Sequence, residues 1–251
     1  MRIDFFLLFS FFCFALSAEP LDVERLPFLR TKQYSMFPYE KIMVFSVPRT
    51  GSSLTYNVLR FLFEDEQCLS FAHNDFRLDR LVLKTHKMPE IEILKETGQK
   101  ILFLITVRDP VQSCISTFRI QPRPVKNMQT FCRKQIERQV NYLEFIENLK
   151  AAGYPVLIFR YEDFEKEQSR SLLQFIEEHF SFSVSELDVQ TIVQGYSREN
   201  IFANIQTLPD FLQMLPISGF HGKHVSITPF TPPEDLLYWL NHYYQEVNWM
   251  R

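Results

Sequence analysis

The stretch Lys41 to Phe63, KIMVFSVPRTGSSLTYNVLRFLF, decides the fold. Its apolar run, Ile42–Val47, predicts a buried strand, and it breaks at Pro48-Arg49-Thr50-Gly51-Ser52-Ser53. Leu54, Val58, Leu59 and Leu62 then recur at helical spacing. Strand, short polar turn and helix together present backbone N–H groups to an anion. Gly51 permits close backbone approach, Ser52 and Ser53 stand where helix caps belong, and Arg49 adds a fixed positive charge. The turn therefore reads as a grip for a phosphate-like group. It is not a Walker A loop, which needs GxxxxGK[ST], so ordinary ATP or GTP binding is disfavoured.

Outward from this stretch the same alternation continues. Apolar runs at Leu81–Lys84, Ile101–Val107 and Val156–Phe159 predict further strands, continuous rather than alternating, as buried parallel strands are. Helices are predicted at Ser52–Glu64, Glu90–Glu96, Pro110–Thr117, Met128–Ala151, Phe164–His179, Ser185–Gln194 and Pro233–Val247. The order predicts an α/β fold: one open, doubly wound parallel sheet flanked by helices, with ligands beyond the carboxyl ends of its strands. The chain of 251 residues has room for one such core. Its net charge of −3 argues against a nucleic-acid partner, so an anion site has to be a local concentration of cations.

Two more motifs fall at strand ends. In ILFLITVRDPVQSCISTFR, the strand from Ile101 delivers Arg108; Asp109 can cap the next helix, Pro110 suits its first position, and Ser116 lies about two turns in. Arg108 and Ser116 can converge on one anion, although this motif alone favours a local salt bridge for Arg108 and a surface role for Ser116. In LVLKTHKMP, Lys84, Thr85 and His86 close a short strand opposite the anion loop. A histidine in that place is a candidate general base.

The termini and cysteines add context. The 1–18 segment carries six of the 26 phenylalanines between Phe5 and Phe14, then Ala15-Leu16-Ser17-Ala18. It reads as a secretory leader ending near Ser17 or Ala18, or as a signal anchor; it is short for a spanning helix. Residues 19–40 are proline-punctuated and read as an irregular N-terminal arm, with the main domain at 41–251. Cys68, Cys114 and Cys132 make no disulfide framework, and the His221/His224 spacing lacks further ligands, so no metal is expected.

Taken in order, the motifs resemble those of sulfotransferases that use 3′-phosphoadenosine 5′-phosphosulfate (PAPS). PRTGSS is similar to the family's 5′-phosphosulfate loop, VRDPVQSCIS to its 3′-phosphate element, KTHKMP to its catalytic KTH, and FRYEDF at Phe159–Phe164 to the strand end that contacts adenine. The resemblance spans Lys41 to Asn248 and implies a P-loop NTPase-like sulfotransferase fold. It implies PAPS as co-substrate, without a metal. It further implies His86 as base, Arg49, Thr50, Gly51, Ser52 and Ser53 at the 5′ end, Arg108 and Ser116 at the 3′-phosphate, and Tyr161 at adenine.

Two places depart from the pattern. Leu54 stands where the family has an aromatic residue, and the C-terminal cofactor loop is reduced to Gly219–Ser226, where Lys223 is the residue expected to supply one phosphate contact, with His224 or Ser226 helping. A carboxylate among Glu64, Glu66 and Asp75 is the alternative base. The expected acceptor is a small molecule, a glycan or a peptide, contacted by Glu66–Arg80, Ile120–Met128 and Ile201–Ser218. The expected location is the secretory pathway, membrane-associated through the apolar segment or secreted, and the cytoplasm if the leader is not functional. The competing readings are a kinase-like phosphotransferase and a non-catalytic sulfotransferase-like binding protein.

Overall fold

The computed structural model describes residues 20–26, 34–64, 80–120, 124–163, 169–208, 214–221 and 230–247. Four parallel strands form the sheet: β1 (Lys41–Phe45), β2 (Val82–Thr85), β3 (Ile101–Val107) and β4 (Val156–Arg160), in the order β2-β1-β3-β4. Val44 pairs with Lys84 on one side and Leu104 on the other, and Thr106 pairs with Phe159. The chain leaves β1 for β2 and returns across β1 to β3, so the order reverses between β1 and β3. In open α/β sheets that reversal is where ligands bind, beyond the carboxyl ends of the strands.

β1, β2 and β3 are buried on both faces, which explains their unbroken apolar runs, while the edge strand β4 is only partly covered. Ile42, Val44, Leu102 and Leu104 face one core, shared with α1 (Ser52–Phe63), α5 (Arg170–Phe180), α6 (Glu186–Gly195) and α7 (Arg198–Gln206). Met43, Phe45, Ile101, Phe103 and Ile105 face the other, under α2 (Ile91–Glu96) and α4 (Val125–Ala151). Helices α3 (Pro110–Ile120), α4 and α8 (Glu234–Val247) build a third cluster around Val111, Met128, Leu236 and Leu240.

Several boundaries differ from the sequence reading. β1 ends at Phe45, because the next two carbonyls serve the site instead of the ladder: Ser46 O meets His86, and Val47 O accepts from Thr50. Helix α7 was not foreseen. The helix predicted from Phe164 appears as a helical turn at Tyr161–Asp163 and then α5, with 164–168 outside the described residues. Residues 20–26 and 34–40 are packed into the domain. Val23 and Leu26 are fully buried, and Glu24 accepts from the Ile217 and Ser218 N–H groups. Among the described residues no helix is long and apolar enough to cross a membrane. The leader-like segment lies outside them.

Candidate active site

The polar turn after β1 is built around two residues at positive φ. Arg49 has φ 77° and Gly51 φ 89°. The left-handed region suits glycine and strains arginine, so the surroundings must hold Arg49 there. They do so through Thr50, whose Oγ1 bonds Val47 O and Thr106 Oγ1, both at 2.8 Å, tying the turn to β1 and β3. Gly51 is also required by its neighbour: a Cβ there would lie 2.4 Å from Tyr161 Cδ2. Gly51 caps α1 and supplies the carbonyl for its first bonds, from the Leu54 and Thr55 N–H groups. The Ser52 and Ser53 N–H groups precede that ladder, at the positive end of the helix.

Three basic side chains converge on this turn. Arg49 Nη2 donates to Ser116 Oγ at 2.8 Å, so the β1 loop and α3 meet directly. The Arg108 guanidinium lies 4.3 Å over the Tyr161 ring, whose carbons press on Gly51. Lys84, one residue before the end of β2, donates through Nζ to Ser53 Oγ at 2.8 Å. Burial, then Arg108 and Arg119, push the Arg49 guanidinium down to about 10, so it remains charged at neutral pH. Burial and the nearby Arg49 push the Lys84 ammonium down to about 7. His221 is lowered by burial and by the same two cations, Lys84 and Arg49. Collecting like charges in a dry place is unfavourable, and a bound anion offsets that cost. Arg49 Nε is buried without a hydrogen-bond partner among the described residues, a donor for which an anionic oxygen is the natural complement.

His86 stands immediately after β2. Its Nδ1 lies 2.6 Å from Ser46 O. A carbonyl only accepts, so Nδ1 carries the proton and the basic lone pair of the neutral ring is on Nε2. Asp109 caps α3 as predicted, accepting from Gln112 N at 2.8 Å, and Glu162 accepts from Asp109 N at 2.6 Å, which fixes the strand end carrying Arg108.

The structure thus brings Arg49, Thr50, Gly51, Ser52, Ser53, Arg108, Ser116 and Tyr161 around one turn, with His86 at the neighbouring strand end. Lys223, Glu66 and Asp75 lie outside the described residues. Glu64 is not placed to take a substrate proton. It is fully buried, bonded to Arg60 Nε at 2.8 Å and to Val82 N at 3.0 Å, with Arg80 at 3.9 Å. Leu54 is buried in the core, so it does not offer a stacking face. Of the expected acceptor segments, Ile201–Ser218 begins inside α7, where Ile201 is itself core. Sequence reasoning passed over Lys84 and His221 as site residues. A lysine inside an apolar strand was a usable signal for the first. Nothing local marks His221, which arrives beside Lys84 and Arg49 through long-range folding.

Comparison with protein-family models finds no match, and no curated protein matches the chain. Among solved structures, the chain is similar to mouse sulfotransferase SULT7A1 complexed with PAP, at 14% identity and a TM-score of 0.47, over 92% of this chain and 95% of that one.

Proposed function

We propose that the chain is a sulfotransferase moving the sulfuryl group of PAPS to a hydroxyl or amine acceptor. The observation that carries the reading is the fused cationic turn: Arg49 reaching Ser116 at 2.8 Å, with Arg108 stacked on the tyrosine that covers Gly51. One patch of protein can thereby hold two anionic groups of a single ligand. PAPS supplies a sulfuryl group on a phosphate leaving group and a second phosphate at the 3′ position.

The residues divide the work. The Ser52 and Ser53 N–H groups, with Arg49 and Lys84, hold the 5′ end and stabilise charge that grows on the departing phosphate as the S–O bond breaks. Arg108 and Ser116 hold the 3′-phosphate and set register, and Tyr161 offers its ring to the base. His86 accepts the acceptor's proton at Nε2 while the new O–S or N–S bond forms. Fixed cations neutralise the charge, so no metal enters the scheme. In the same proposal the leader-like segment places the reaction in a secretory lumen, and the acceptor is a small molecule, a glycan or a peptide.

Transfer of labelled sulfate from PAPS to an acceptor array tests the reading. The wild type should label at least one acceptor class, and His86→Ala should lose roughly 10²–10⁴ in rate with cofactor binding kept. Full activity in His86→Ala would remove His86 from the role of base.

A further inference from the structure

We propose that Arg138 and Tyr142 of α4 are positioning residues that hold His86 in the orientation and tautomer a base needs; this rests on the reading of His86 as that base. His86 follows the last paired residue of β2, Thr85, so the strand ladder does not itself fix it. Two anchors do. The ring is held through Nδ1 by Ser46 O at 2.6 Å. The backbone is held by its own carbonyl, which accepts from Arg138 Nη2 at 2.6 Å and from the Tyr142 hydroxyl. Both lone pairs of that oxygen are then engaged, one of them by a charge-assisted bond.

The anchor is itself braced. Arg138 Nη2 also donates to Tyr142 Oη at 3.1 Å, and its guanidinium lies 5.5 Å over the Tyr142 ring. Tyr142 is 3% exposed and stacks on Phe45, centroids 4.6 Å apart and planes within 7°. Phe45 ends β1 and immediately precedes Ser46, the acceptor of the imidazole. The path Phe45, Ser46, His86, Tyr142 and back to Phe45 is therefore closed. The bonds from Arg138 and Tyr142 pin the backbone at His86; without them the Cα that carries the ring is free to shift, and a shift of that Cα draws Nδ1 away from Ser46 O. Once off, the ring can protonate at either nitrogen, and Nε2 is no longer reserved as the acceptor. A helix that merely packed on the sheet would need the Tyr142 ring and the Arg138 stem, but neither the hydroxyl nor the guanidinium.

The test separates those possibilities. Tyr142→Phe keeps the stack on Phe45 and removes the hydroxyl; Arg138→Gln removes the guanidinium; Arg138→Lys keeps a charged donor. Nitrogen-15 NMR of the imidazoles in the full chain should show His86 as the Nδ1–H tautomer in the wild type. Tyr142→Phe and the double variant with Arg138→Gln should show averaged tautomer shifts. Sulfuryl-transfer kcat should fall about 10–100-fold with KM for PAPS changed less than about twofold, and Arg138→Lys should recover part of the loss. An unchanged tautomer signature overturns the proposal, as does a kcat that falls only with the fraction of folded protein. The NMR measurement needs no turnover, so a chain that transfers no sulfate would defeat the enzymatic reading and still leave the positioning claim decided.

Discussion

Lys84→Met should make the unliganded protein more stable at pH 6 and weaken its hold on anions. Lys84 is 5% exposed, and burial followed by Arg49 lowers its ammonium from 10.5 to about 7. At about 1.4 kcal/mol per decade of proton affinity, that fall corresponds to about 5 kcal/mol of cost when the group is charged. Methionine has a similar shape and no charge; it forfeits the bond from Nζ to Ser53 Oγ, worth about 1 kcal/mol. Relaxation around the ammonium absorbs part of the rest, leaving about 2–4 kcal/mol net, or roughly 5–15 °C in Tm for a chain of this size. The sign with pH is distinctive. Below pH 7 lysine is charged in both folded and unfolded chains and the cost is complete. Between pH 7 and 10.5 the unfolded chain binds the extra proton, so wild-type stability rises with pH. The variant's advantage should therefore be largest near pH 6 and shrink as pH climbs. Urea denaturation of both proteins from pH 5.5 to 10 measures this. A stability difference that is flat in pH, or a variant less stable than wild type at pH 6, would refute the reasoning.

Two further outcomes follow from the same geometry. Glu64→Gln should destabilise by about 3–5 kcal/mol in denaturant titration, since the buried Arg60 charge loses its carboxylate partner, yet the remaining folded protein should keep its activity because His86 is the proposed base. Gly51→Ala places a Cβ 2.4 Å from the Tyr161 ring at φ 89°, so PAP affinity measured by titration should drop by about tenfold or more even in variants that stay folded.

The sheet was legible because β1, β2 and β3 are buried on both faces and so read as unbroken apolar runs; β4, partly exposed at the edge, still carries the apolar run Val156–Phe159. Asp109-Pro110 likewise announced α3 by cap chemistry alone. Helix α7 escaped because its buried face carries Asn200 and Asn204 where an amphipathic pattern has apolar residues. Both side-chain amides donate to Leu21 O at 2.8 Å, contacts made across 179 and 183 residues of sequence. The burial of Val23 and Leu26 was not legible, because it depends on α6 and α7 being in place. In the site, the order of motifs placed Arg49, Arg108 and Tyr161 just past strand ends and Ser116 two turns into α3. The direct bond from Arg49 to Ser116, the clasp of α4 on His86 and the arrival of His221 are products of packing, which spacing along the chain does not encode.

Calorimetric titration of PAP and ADP into the wild type and into Arg108→Ala tests the central claim most directly. The two ligands differ in where the second phosphate sits, and Arg108 with Ser116 is the pair assigned to the 3′ position. PAP should bind at least about tenfold more tightly than ADP, about 1.4 kcal/mol, and that gap should close in Arg108→Ala. Equal affinities in the wild type, or a gap that survives removal of Arg108, would contradict the account.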